Sequence, residues 1–202
     1  MGEKNTLMKT ATVKKPEITV FAGPNGSGKS TITTISPHAI APYINADEIM
    51  RSTHCSDFEA AQKAYELRLQ CVKKKQSFSF ETVLSTDRNM ELLRAAKDGG
   101  YFIRGIYVLT TSAELNVLRV QTRLQCGGHG VPPEKIRSRY AKSIANIPEF
   151  ISLCDVCHIY DNTGQAPVRI FKKKHGEITF WTMQSWTREK ISLLVGLSLP
   201  QE

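Results

Sequence analysis

The chain has 202 residues, a formal net charge of +8 and a pI near 9.3, with 41% hydrophobic and 23% charged residues. These are ordinary globular values, and they suit one large domain rather than a low-complexity or fibrous chain. No apolar stretch approaches the ~20 residues of a membrane span. The polar, lysine-bearing start also lacks the apolar centre of a secretory signal, so a cytoplasmic protein with no membrane role is expected.

Residues 1–16 read as a flexible tail ahead of a single domain over 17–202. Glu17–Ala22 reads as a buried strand, and a glycine-rich loop follows it: Gly23, Pro24, Asn25, Gly26, Ser27, Gly28, Lys29, Ser30, Thr31. Its fixed positions fit the phosphate-loop pattern, in which glycines let successive N–H groups point at one anion. Lys29 then reaches the outer phosphates and the Ser30 hydroxyl ligates Mg2+, with a helix continuing through Ile35. The implied ligand is a nucleoside triphosphate, ATP.

A second strand, Pro42–Ala46, is expected to deliver Asp47 at its carboxyl end. Ser56-Asp57-Phe58-Glu59 is a capping box opening a helix in which Phe58, Ala61, Tyr65, Leu69 and Val72 recur at helical spacing. A third strand, Ser77–Phe80, ends at Glu81-Thr82. The next helix runs from Thr86-Asp87 to a Gly99-Gly100 stop, and the near-continuous apolar run Phe102–Leu109 marks a strand buried on both faces. A helix over Ala113–Gln125 and one opened by Pro133 flank Gly127-Gly128. A fifth strand, Asp155–Asp161, precedes a hairpin of Val168–Phe171 and Ile178–Trp181 around His175-Gly176, and a short terminal helix closes the chain.

Alternating strands and helices predict an α/β fold, a phosphate-loop NTPase-like three-layer α/β/α sandwich with a mainly parallel sheet and a C-terminal β-hairpin. Ligands in such sheets bind beyond the carboxyl ends of the strands, where the loop, Asp47 and Glu81 all fall. No Asn-Lys-x-Asp guanine-reading motif is present, nor a transporter Leu-Ser-Gly-Gly-Gln, nor an apolar strand ending in Asp-Glu. Two carboxylates and a basic segment after strand four are what a kinase needs: a proton acceptor for the attacking hydroxyl, and cations for the phosphoryl group. In that segment, residues 119–140 form a candidate lid, with Arg123 and Arg139 chosen to reach the phosphates through bidentate contacts.

The ordered set Gly23–Ser30, Asn45-Ala46-Asp47-Glu48-Ile49, Phe78-Ser79-Phe80-Glu81-Thr82, Gly127–Pro132 and Tyr160-Asp161-Asn162-Thr163 resembles the zeta toxin family, most closely its short bacterial zeta-like branch. That family consists of phosphate-loop kinases that phosphorylate UDP-N-acetylglucosamine on a sugar hydroxyl. The resemblance implies that Lys29 and the lid arginines serve the phosphates, that Asp47 is the general base and that Glu81, with Thr82, contacts the substrate. It also raises the prospect of an acidic antitoxin-like partner. Val83 stands where the family usually has a second hydroxyl residue, and the chain is shorter than the best-known toxins. A small-molecule acceptor is the leading expectation. The alternatives are a polynucleotide or RNA-end kinase, suggested by the positive charge, and, from a different class, a nucleotide-gated binding module whose ATP turnover switches an acidic partner.

Five cysteines, an odd number, point to reduced thiols. Cys154-Asp155-Val156-Cys157-His158 matches a haem-attachment pattern, but Cys154 and Cys157 are expected to pack as small apolar groups on one buried strand.

Overall fold

A computed structural model describes residues 15–126 and 130–198. Fourteen of the residues expected to form a tail, and residues 127–129 of the glycine-rich link, lie outside this range. The strands are β1 (Glu17–Ala22), β2 (Tyr43–Ile44), β3 (Phe78–Thr82), β4 (Phe102–Leu109), β5 (Val156–Asp161), β6 (Val168–Lys174) and β7 (Glu177–Phe180). They form one seven-stranded sheet in the order β2-β3-β1-β4-β5-β6-β7. The first five run parallel to one another, while β6 and β7 add an antiparallel edge. At the β6–β7 turn His175 and Gly176 both have positive φ, 51° and 82°, as a two-residue hairpin turn requires.

The helices are α1 (Lys29–Ile35), α2 (Ala46–Thr53), α3 (Asp57–Lys73), α4 (Asp87–Asp98), α5 (Ala113–Gln125), α6 (Pro133–Ala145), α7 (Ile147–Leu153) and α8 (Arg188–Leu194). Strand alternation sorts the core into two faces. Ile18, Val20, Ile103, Tyr107, Cys157 and Ile159 look into the larger core, with residues of α3, α4, α7 and α8. Phe21, Ile106 and Val108 look the other way and meet Ile32 of α1. Within β4, a Cβ on Gly105 would sit 2.7 Å from the Cys154 sulfur and 2.8 Å from the Phe150 ring, so α7 lies directly on the strand there.

Several local expectations shift. The second strand is two residues long, because Asn45 starts a helix: its Oδ1 accepts from the Asp47 N–H at 2.9 Å. The capping box at Ser56 forms as read, with reciprocal bonds to Glu59. The face it introduces is rotated, however. α3 buries Ala60, Ala64, Arg68 and Cys71, whereas Phe58 is 79% exposed. Tyr65, Leu69 and Val72 pack only partly against the core. Cys154 closes α7 rather than lying on β5, although it and Cys157 are both buried. Burial pushes the Cys154 thiol up, reinforced by its hydrogen bond to Cys157.

Candidate active site

The chain leaves β1 for β2 on one side of the sheet and later crosses from β3 to β4 on the other. The phosphate loop therefore sits at the switch point, beyond the carboxyl ends of the parallel strands. Close packing shapes the loop. Gly28 has φ 91°, and a Cβ on it would lie 2.1 Å from Asn162 Nδ2. That same amide donates to Ser27 O at 2.8 Å, so the end of β5 braces the loop from behind. A Cβ on Gly23 would lie 2.0 Å from Val108 O.

Lys29 opens α1 and donates from Nζ to Gly23 O at 2.7 Å and Pro24 O at 3.0 Å. Desolvation lowers its pKa to about 8. Glu81 and then Asp47 act in the opposite direction, and Arg123 adds to the lowering. Lys29 is thus electrostatically coupled to both carboxylates and to an arginine singled out from the sequence.

Glu81, near the end of β3, is held by three hydroxyls. Tyr43 donates to Oε1 at 2.7 Å, Thr33 to Oε1 at 2.9 Å and Ser30 to Oε2 at 3.1 Å. Tyr43 is correspondingly driven well above its ordinary pKa, by burial first and by its bond to Glu81 next. Glu81 therefore sits on the hydroxyl expected to ligate Mg2+. A serine hydroxyl with a carboxylate behind it offers hard oxygen donors of the kind that ion takes. Thr82 is turned inward, its Oγ1 accepting from Leu84 N at 3.0 Å and Asn89 Nδ2 at 2.9 Å.

Asp47 lies in the first turn of α2, whose cap is Asn45. Asp47, Lys29, Ser30, Thr31, Glu81 and Thr82 line one cleft of about 700 Å³, together with Asn25, Gly26, Gly28 and Val83. Arg119 and Arg123 of α5 and Arg139 of α6 line it as well. Arg119 donates to Thr163 O at 3.2 Å. Arg137 instead faces outward, in a bidentate pair with Glu114 at 2.7 and 2.9 Å that ties α6 to α5.

Sequence reasoning gave no role to Tyr43, Arg68, Arg88, Arg119 or Asn162, all of which touch or brace this cleft. Asn162 stood within the Tyr160–Thr163 motif, and Arg119 lay one turn before Arg123, so both had a local signal. Tyr43, Arg68 and Arg88 had none, because their roles depend on contacts between elements. Among the described residues no group of three or more His, Cys, Asp or Glu side chains is placed to hold a metal ion.

No protein-family model matches the chain. An uncharacterized protein of Haemophilus influenzae is 28% identical over 125 residues, spanning 59% of this chain and 89% of the relative. Among solved structures, a chain of the AvrRxo1-ORF1:AvrRxo1-ORF2 complex with sulphate ions aligns over 93% of this chain with TM-score 0.66 and 16% identity. The same complex with ATP also gives 0.66. The present chain spans 65–66% of those chains' length. The PezAT chromosomal toxin-antitoxin system of Streptococcus pneumoniae aligns over 97% of this chain and 84% of its own, with TM-score 0.58 and 17% identity. The fold shared with these proteins is the phosphate-loop α/β fold expected from the sequence.

Proposed function

We propose that the chain is an ATP-dependent kinase that transfers the γ-phosphoryl group to a hydroxyl of a small molecule, with UDP-N-acetylglucosamine the first acceptor to try. The single observation that carries this reading is the shared cleft, in which phosphate loop, two carboxylates and arginines of α5 and α6 face one space. An ATP complex exists for a protein of this fold, which supports ATP as the donor. Toxin–antitoxin assembly of another, together with the charge of +8, supports an acidic protein partner in the cytoplasm.

In this mechanism the loop N–H groups and Lys29 hold the β- and γ-phosphates. Ser30 would hold Mg2+, with Glu81 fixing the Ser30 hydroxyl, and the ion would offset phosphate charge when bound. Asp47 accepts the proton of the acceptor hydroxyl as its oxygen bonds to the γ-phosphorus. The bond to the β–γ bridging oxygen breaks, and the electron pair leaves with ADP. Arg123 and Arg139, carried on the helices of a 119–140 lid, neutralise the equatorial oxygens. Glu81 and Thr82 shape the acceptor side of the space. An acceptor screen with γ-labelled ATP tests the proposal, comparing nucleotide sugars, simple sugars and RNA 5′ ends. Label transfer to a small hydroxyl compound is expected. Transfer to RNA ends alone, or ATP loss indifferent to every acceptor, would overturn it.

A further inference from the structure

The Glu81 carboxylate uses its two oxygens differently, and that division aims the Ser30 hydroxyl. Oε1 accepts from Tyr43 Oη at 2.7 Å and from Thr33 Oγ1 at 2.9 Å. Oε2 is left to accept from Ser30 Oγ at 3.1 Å. A hydroxyl whose proton lies on a carboxylate keeps its lone pairs for a cation. The two bonds on Oε1 resist rotation of the carboxylate, and so they hold Oε2 on Ser30. Burial first, and the bond to Glu81 next, keep the Tyr43 pKa well above its ordinary value, so the phenol stays a donor.

Tyr43 is also tied in the other direction. Its oxygen accepts from Asn45 Nδ2 at 3.1 Å, and Oδ1 of the same amide accepts from Asp47 N at 2.9 Å. The two bonds fix which way the amide points, since only Oδ1 accepts and only Nδ2 donates. One amide and one phenol therefore join the first turn of α2 to the Glu81 carboxylate. That tie matters because α2 has no fully buried side chain, and Ala46 and Ile49 pack only partly against the core. Packing alone does little to set where Asp47 stands along the cleft.

We infer that Tyr43 and Asn45 are positioning residues, which join the Asp47 end of α2 to the Ser30 hydroxyl through Glu81 and so keep the two halves of the site in one geometry. Tyr43 acts through Glu81, and Asn45 acts through Asp47 and Tyr43. The part played by Asp47 rests on the kinase reading; the link from Tyr43 to Ser30 does not. Without the Tyr43 hydroxyl, Oε1 keeps only Thr33, the carboxylate can turn, and Ser30 loses the acceptor that aims it.

Calorimetry on the full chain tests this with a non-hydrolysable ATP analogue, titrated once with magnesium and once with a chelator in its place. Tyr43→Phe keeps the ring and removes only the hydroxyl. The factor by which magnesium tightens the analogue should fall about fivefold or more in this variant, while metal-free affinity and melting stay close to wild type. Asn45→Ser keeps a helix cap but loses the Nδ2 donor, and its magnesium factor should fall as well. With the acceptor found in the screen, Asn45→Ser should also lower kcat about tenfold and leave KM for ATP almost unchanged. If Tyr43→Phe does not fold, Asn45→Ser decides the matter. An equal magnesium factor in wild type and variants would overturn the inference. So would parallel losses of melting temperature and metal-free affinity, or a wild-type kcat in Asn45→Ser. A reduced magnesium factor in a protein that transfers phosphate to nothing would instead overturn the kinase reading and leave Tyr43 in its role.

Discussion

Lys29 makes nucleotide binding pH-dependent in a direction the structure fixes. In the free protein its pKa is lowered to about 8, chiefly by burial. A triphosphate beside the ammonium favours the charged form and raises that pKa again. The free protein is therefore ready to bind below pH 8, whereas above it binding must first take up a proton. If the bound pKa lies well above the working range, affinity should fall by about twofold at pH 8 and about tenfold at pH 9, relative to pH 7. At pH 8 roughly half a proton should be taken up per nucleotide. Calorimetry with a non-hydrolysable ATP analogue, in two buffers of different ionisation enthalpy, reads both quantities. Lys29→Met should bind weakly and lose the alkaline step. Equal affinity of the wild type at pH 7.5 and pH 9, with no proton uptake, would refute the reasoning.

Two further outcomes are expected. Gly28→Ala must place a Cβ against the Asn162 amide at a residue with φ 91°. The left-handed conformation costs an alanine about 1–2 kcal/mol, and displacing Asn162 forfeits a hydrogen bond worth about 1 kcal/mol. Nucleotide affinity should drop accordingly, and adding Asn162→Ala should restore the part due to collision. Affinity unchanged in Gly28→Ala would count against the bracing of the loop. His158 on β5 is lowered to about 4 by burial first, then by Arg169 and Lys172. The stability that His158 contributes is therefore fully present above pH 6.5 and is lost as the pH falls from 6.5 towards 4, by about 1–2 kcal/mol once solvent screening of this half-buried ring is allowed for. Denaturant titrations across that range should show the loss, and His158→Gln should flatten it. Parallel profiles for the two proteins would contradict the assignment.

What the sequence disclosed was local. The phosphate loop has fixed spacing, β1 and β4 are apolar throughout, and Ser56 with Glu59 signals a helix start, so these elements were legible. The strand through Ala46 was overextended because Asn45 was not read as a cap, although the acidic Asp47-Glu48 pair behind it marks a first helical turn. α7 was missed because it is one short helix separated from α6 only at Asn146, with Pro148 near its start. The face of α3 was misread because its spacing favoured large residues such as Phe58. The helix instead buries Ala60 and Ala64, small enough to lie against the core. Within the site, the residues beside strand ends could be gathered from topology alone. Arg68 could not, since an arginine at helical spacing reads as solvated until the Phe80 ring and the Asn89 amide are known to surround it.

Phosphoryl transfer by Asp47→Asn is the most direct measurement of the central claim. Asn45, not Asp47, caps α2, and it does so through the backbone N–H of residue 47, which the substitution leaves in place. The fold and the nucleotide site should therefore be little altered, while the proton acceptor is removed. With γ-labelled ATP and the acceptor found in the screen, Asp47→Asn should bind ATP and melt much as the wild type does, yet transfer phosphate roughly 10²-fold more slowly or worse. Transfer at close to the wild-type rate would contradict the assignment of Asp47 as the base.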